Sequence, residues 1–120
     1  MKTVLTGVVI AAFAIVPWPA GMGEPVAHAA DGDVRKGKAI YEKHCVLCHG
    51  PQGRGDGPVG KTINPPAADF ASAASKKKPD AELLATIEKG RPPTAMVGWK
   101  GQLSDAEMQD VLAYVKSLRQ

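Results

Sequence analysis

The pentapeptide Cys45-Val46-Leu47-Cys48-His49 is the most informative stretch of this 120-residue sequence. Its cysteines are the only two in the chain, and at a helical turn their spacing brings both thiols together with a histidine directly behind them. Two cysteines cannot build a disulfide-dense scaffold or a four-thiolate zinc site. The length allows one domain, and a formal charge of +3 is too small to bind nucleic acid by electrostatics alone.

The C-x-x-C-H spacing is the attachment sequence for c-type haem. Cys45 and Cys48 would form thioethers with two haem vinyl groups, and His49 would then lie beneath the iron as an axial ligand. Three alternatives stay open: a thioredoxin-type disulfide, which needs a βαβ frame; a zinc site that uses His44 as well; and plain buried thiols beside a chance histidine. We predict one covalent haem c, which also supplies apolar mass to a small core.

Residues 1–29 have the order of a secretory signal peptide. Lys2 provides the positive start, an apolar run of thirteen residues spans 4–16, and Ala27-His28-Ala29 fits the cleavage pattern. The run is shorter than the roughly 20 residues that cross a bilayer, although an uncleaved anchor stays open. We therefore predict a cleaved signal at 1–29 and an exported domain at 30–120 with no stable membrane insertion.

The two ends of the exported domain are predicted to be helices. Asp33 can cap a first helix that runs toward Cys45 and carries Gly37, Ile40 and Tyr41 on one face. The last helix begins with a capping box at Ser104 and Glu107, and its apolar stripe consists of Met108, Val111, Leu112, Val115 and Leu118. No segment alternates apolar and polar residues with a period of two, the pattern of a half-buried strand, so we predict an all-α fold.

Glycine and proline interrupt the chain between these helices. Residues 50–66 fit no regular element, and a segment of this kind in a compact domain is expected to wrap or bind something. A short helix is predicted around residues 69–75. Another helix is predicted with Pro79 in its first turn, Leu83, Leu84 and Ile87 along it, and Gly90 at its end.

The second axial position of the iron has four candidates: Met96, Met108, His44 or an open site. Met108 lies on the apolar stripe of the last helix, which favours core packing. His44 directly precedes Cys45, and its tether keeps it from the opposite haem face. Met96 lies in a proline-rich loop before the last helix, where the chain can cross to that face, and we predict it as the ligand.

The chain from about Asp33 to Arg119 resembles a class I cytochrome c, a small all-α monohaem electron carrier of the bacterial periplasm. Gly37 and Tyr41 look like the family's small-plus-aromatic pair, which packs on the C-terminal helix, and Met96 occupies the family's axial-methionine position. The resemblance implies a cytochrome c fold in which the N- and C-terminal helices pack together around one covalently bound haem.

Further residues near the expected ligands have expected roles, some from the same resemblance and some from their position beside Met96. Pro58 falls where the family has a proline whose carbonyl accepts the Nδ1–H of the proximal histidine. The runs Gly53-Arg-Gly-Asp-Gly-Pro58 and Pro66-Ala-Ala-Asp-Phe70 are similar to a subgroup of short bacterial cytochromes, which often has proline where this chain has Val97. Trp99 and Arg91 flank Met96 and would pack on the haem or reach its propionates; core packing and loop exposure are their alternatives.

The implied function is one-electron transfer between periplasmic redox proteins, a donor and an acceptor, by a monomer with no substrate chemistry of its own. One rival is a catalytic or gas-sensing haem protein in which Met96 is displaced. Another is a tethered subunit of a respiratory complex held by an uncleaved N-terminus. The lysines at 76, 77 and 78, with Lys61 and Lys100, form either a solvated face or a patch that steers an acidic partner.

Overall fold

The computed structural model describes residues 31–120, and the predicted signal peptide at 1–29 lies outside them. This range contains helices α1 (Val34–His44), α2 (Val46–His49), α3 (Ala73–Lys76), α4 (Asp80–Lys89) and α5 (Asp105–Ser117). Its only β-type pairings are two isolated bridges, Gly90 with Val97 and Lys100 with Leu103. The all-α prediction is confirmed.

Helix α1 begins at a side-chain cap. The Asp33 carboxylate accepts hydrogen bonds from the backbone N–H groups of Arg35 and Lys36, at 2.8 and 3.2 Å, which satisfies donors that have no partner within the helix. The helix ends at His44, and Cys45 is the residue between α1 and α2. The cap therefore fixes the beginning of the helix that leads into the cysteine motif.

Helices α1 and α5 make the most extensive contact between helices in the described range, as predicted. The contact is close because Gly37 faces the α5 backbone: a Cβ atom built on Gly37 would lie 2.5 Å from the Asp110 carbonyl carbon and 3.0 Å from Val111 N. The Asp33 N–H also donates to Asp110 Oδ1 at 2.7 Å. Only glycine at position 37 lets the two backbones approach this closely.

Helix α5 provides half of the buried apolar side chains of the described range. Ser104 and Glu107 form the predicted capping box, with each side chain bonded to the other residue's N–H. Four residues of the predicted stripe are buried: Met108, Val111, Leu112 and Val115. Full burial of a side chain of this size contributes about 1.5–3 kcal/mol, so α5 anchors the core against which α1 and α4 pack.

Two helix starts differ from the sequence prediction. Helix α3 begins at Ala73 after a Ser72 cap, because the Asp69 carboxylate accepts from Ala71 N–H at 2.8 Å and holds residues 69–71 in a turn. Pro79 is the N-cap of α4 and not a residue of its first turn. Residues 50–66 form turns and bends without helix or strand, as predicted.

Arg119 ties the C-terminus to the connection between α3 and α4. Its Nη2 donates to the Ser75 carbonyl and, at 3.0 Å, to the Lys78 carbonyl, while its side chain is 12% exposed.

Among residues 31–120 no helix is both long and apolar enough to cross a membrane.

Candidate haem-binding site

The cysteine motif lies at the corner where α1 meets α2. Cys45 separates the two helices, Cys48 lies on the single turn of α2, and both are half-buried free thiols. Burial, with a smaller contribution from the neighbouring Cys48, raises the pKa of Cys45 to about 11. The Cys45 sulfur is therefore a protonated thiol at neutral pH.

Two contacts orient the His49 imidazole, one at the edge of the ring and one on its face. Its Nδ1 lies 3.3 Å from the Ala68 carbonyl oxygen, and its ring stacks on Phe70 with centroids 4.7 Å apart and planes at 21°. Since a carbonyl only accepts, this hydrogen bond requires the proton on Nδ1. Burial lowers the pKa of His49, and the Ala68 contact acts in the opposite direction. The ring is thus neutral with a free Nε2 lone pair, the form that binds a metal.

The acceptor for His49 differs from the one that the resemblance implied. It is the Ala68 carbonyl and not that of Pro58, which lies on an exposed part of the loop. The chain around Pro58 runs beside α2 instead: Gly57 N–H donates to the Cys48 carbonyl at 3.2 Å, and Val59 N–H donates to the Leu47 carbonyl at 3.1 Å. A later segment, residues 66–70, reaches the imidazole.

Tyr41 connects the helix packing to the motif. Its side chain is fully buried, its ring meets that of Tyr114 edge-to-face at 5.1 Å, and its hydroxyl donates to the Gly50 carbonyl at 2.7 Å. Because Gly50 directly follows His49, Tyr41 fixes the end of α2 to the α1–α5 contact. This contact gives Tyr41 a supporting role at the site, whereas packing on a haem stays a prediction.

Met96 lies on a closed loop between α4 and α5. Gly90 pairs with Val97, Arg91 N–H donates to the Met96 carbonyl at 3.0 Å, and Met96 N–H donates to Thr94 Oγ1 at 3.3 Å. The Met96 side chain is half-buried. Met108, in contrast, is only 1% exposed within the core, in agreement with its assignment to packing.

Trp99 and Arg91, which flank Met96 in the sequence, lie in different environments in the structure. Trp99 is half-buried against the core, and its ring lies 4.7 Å from that of His44. This arrangement favours the core-packing alternative for Trp99. It also gives His44, which is half-buried at the end of α1, a contact within the protein. Arg91 is exposed, in agreement with the loop alternative.

The alternatives for the cysteine motif gain no support from the geometry. Within residues 31–120 no three His, Cys, Asp or Glu side chains converge as metal ligands, so His44, Cys45, Cys48 and His49 do not form a zinc site. The range also lacks the βαβ frame of a thioredoxin-type disulfide. A thiol at the N-cap of α2, a second thiol within α2 and a neutral imidazole held at Nδ1 fit the donor set that a covalent haem requires.

The predicted basic patch is partly neutralised. Lys78 Nζ pairs with Glu82 Oε1 at 2.7 Å, while Lys76 and Lys77 are exposed. Lys61 and Lys100 are also exposed.

Comparison with known proteins shows the family of this chain. The cytochrome c family model matches residues 34–119, and the chain belongs to the cytochrome c family. It is 40% identical over 79 residues to the dihydro-heme d1 dehydrogenase of Pseudomonas aeruginosa, and 38% identical over 87 residues to a cytochrome c6 of Synechocystis sp.. The solved KustC0563 c-type cytochrome shares 30% identity with a TM-score of 0.54.

These matches differ in how much of each protein they cover. The match to the dehydrogenase covers 66% of this chain but only 14% of the dehydrogenase. The match to the cytochrome c6 covers 72% of this chain and 67% of the cytochrome c6. For the solved cytochrome the shares are 93% of that chain and 69% of this one. Family membership establishes a class I monohaem cytochrome with an all-α cytochrome c fold and a covalently bound c-type haem.

Proposed function

We propose that this protein is a one-electron carrier of the bacterial periplasm, exported by a signal peptide at residues 1–29. One observation carries the proposal: a neutral His49, with Nδ1 on the Ala68 carbonyl, directly follows the free thiol of Cys48, and the free thiol of Cys45 lies at the N-cap of the same short helix α2. Haem bound there supplies an iron centre that takes up and returns a single electron. The exported domain in this proposal is residues 30–120, of which the structure describes 31–120.

The proposed ligands divide the work between two parts of the chain. Cys45 and Cys48 would hold the haem as thioethers, and His49 would bind the iron through Nε2. Met96, on its closed loop, would bind the opposite side through its thioether sulfur. A soft methionine ligand favours ferrous iron and raises the reduction potential. With both axial positions filled, no position is left for a substrate, so we propose no enzymatic reaction.

We further propose transient docking to acidic surfaces on a donor protein and an acceptor protein. The exposed Lys76 and Lys77 and the net charge of +3 support this choice. A diffusing carrier of this kind is expected to be a monomer. If the lysines steer the encounter, the rate of electron transfer to an acidic partner falls as ionic strength rises, because salt screens exposed charges. A rate independent of salt would contradict this part of the proposal.

The deciding experiment is the absorption spectrum of the purified mature protein, oxidised and reduced, with and without carbon monoxide. The proposal predicts a low-spin c-type spectrum that carbon monoxide leaves unchanged. A spectrum that shifts on carbon monoxide addition would indicate an open iron position and favour the catalytic or gas-sensing alternative. Protein that lacks a haem band, from a host able to attach haem, would contradict the assignment of Cys45 and Cys48.

A further inference from the structure

Two segments of the irregular region pack against each other beside His49. The Phe70 N–H donates to the Gly53 carbonyl at 2.7 Å, and the Ala67 N–H donates to the Gly60 carbonyl at 3.1 Å. Gly53 has a φ of 69°, and a Cβ atom built there would collide with Cδ2 of Phe70. Glycine at this position therefore provides both the left-handed backbone and the space for the Phe70 ring.

The Phe70 ring is held on several sides. It is 9% exposed, it meets the Tyr41 ring edge-to-face at 6.5 Å, and it stacks on His49 at 4.7 Å. Two residues earlier in the same segment, the Ala68 carbonyl meets His49 Nδ1. One short segment thus supplies both partners of the imidazole: the Ala68 backbone carbonyl accepts at its edge, and the Phe70 ring lies against its face.

We propose that Phe70 is a positioning residue that, with the Ala68 carbonyl, fixes the plane of the His49 imidazole. Rotation of that ring about Cβ–Cγ would break the Nδ1 hydrogen bond and drive the ring into Phe70. The inference rests on the proposed function in one respect, that His49 is the iron ligand. The direction of the imidazole plane governs how its π electrons overlap with the iron orbitals, so the role has a spectroscopic signature.

The first test compares Phe70→Leu with Leu83→Ala in the haem-loaded protein. Leucine keeps an apolar side chain at position 70 but removes the flat ring; Leu83, which is 8% exposed on α4, serves as a control for general loss of packing. The readouts are the g values of the oxidised protein by electron paramagnetic resonance and the exchange rate of the His49 Nδ1 proton by NMR. Phe70→Leu should shift the g values and speed exchange about tenfold, while Leu83→Ala leaves both at wild-type values.

A second pair of variants reaches the same ring from the backbone. Gly53→Ala places a methyl group against Phe70 at a positive φ, whereas Gly101→Ala imposes similar backbone strain at a φ of 91° with no atom within 4 Å of the new Cβ. Gly53→Ala should reproduce the g-value shift of Phe70→Leu, and Gly101→Ala should not. This pair decides the question if Phe70→Leu fails to fold.

Wild-type g values and proton exchange in both Phe70→Leu and Gly53→Ala would overturn the positioning role. So would equal shifts in the variants and their controls, since these would reflect general destabilisation. Failure of the carrier proposal is separate: it appears in the wild-type spectrum as sensitivity to carbon monoxide. In that case the comparison of variants still reports on His49, because an open distal position leaves the proximal ligand in place.

Discussion

The Tyr41 hydroxyl donates a 2.7 Å hydrogen bond to the carbonyl of Gly50, the residue that directly follows His49. The same Tyr41 ring packs edge-to-face on Tyr114 of α5. The contact between the first and last helices is therefore joined directly to the end of the haem-attachment motif. Changes in the packing of α1 on α5 should be transmitted to the position of His49.

Tyr41→Phe tests this connection. Removal of the hydroxyl leaves the buried Gly50 carbonyl without its donor, so the free energy of unfolding should fall by about 1–2 kcal/mol in urea titrations. Tyr114→Phe removes a hydroxyl from the partner ring while it leaves the Gly50 contact intact, and its effect should be smaller. Equal losses in the two variants would contradict a specific role for the Tyr41 hydrogen bond.

Gly37→Ala should be among the most damaging single substitutions in α1. The added Cβ would lie 2.5 Å from the Asp110 carbonyl carbon, and backbone atoms cannot yield as a flexible side chain can. We expect a loss of about 3 kcal/mol in the free energy of unfolding. Lys38→Ala, at the exposed neighbouring position, should change it by less than about 0.5 kcal/mol. A well-tolerated Gly37→Ala would show that the helices can separate without loss of stability.

Met96→Ala should open the second axial position and create carbon monoxide binding, which is visible as a shift in the reduced absorption spectrum. The matched control is Met108→Leu, because Met108 is 1% exposed within the core. That substitution should cost less than about 1.5 kcal/mol and leave the spectrum insensitive to carbon monoxide. If Met96→Ala stays low-spin and unreactive, the assignment of Met96 is wrong.

The cap of α1 should contribute a defined pH dependence of stability. Hydrogen bonds from the backbone of Lys36 and Arg35 hold the pKa of Asp33 below its ordinary value of about 4. The unfolded chain therefore binds this proton more tightly than the folded chain, and the contribution is complete above pH 4 and lost as the pH falls through the lowered value.

Asp33→Asn isolates that contribution. Asparagine caps helices about as well as aspartate but does not titrate in this range. The stability difference between wild type and Asp33→Asn, measured by urea unfolding from pH 7 down to pH 2, should shrink as the pH falls below 4. A difference that is constant with pH would contradict a role for the Asp33 carboxylate charge.

Much of the helical architecture could be predicted from short-range sequence signals. The Asp33 cap and the Ser104–Glu107 capping box act over two or three residues, and both are present as expected. Helix α3 was less predictable, because the Asp69 side chain bonds the Ala71 backbone and delays the helix to Ala73. Local hydrogen bonds of this kind compete with helix formation, and the hydrophobic pattern of a sequence does not indicate which of the two prevails.

The sequence by itself determined the attachment chemistry and the close helix pair. The C-x-x-C-H spacing indicates the attachment within a single turn, and the helix pair was expected because Gly37 and Tyr41 resemble the small-plus-aromatic pair of class I cytochromes c. Only the tertiary structure decided which carbonyl meets His49 and which ring lies against it. Ala68 is 19 residues from His49, and the path between them follows an irregular glycine- and proline-rich chain with no repeating pattern. The resemblance had singled out the run Pro66-Ala-Ala-Asp-Phe70. The contact of this run with His49 nevertheless depends on long-range packing that local sequence does not encode.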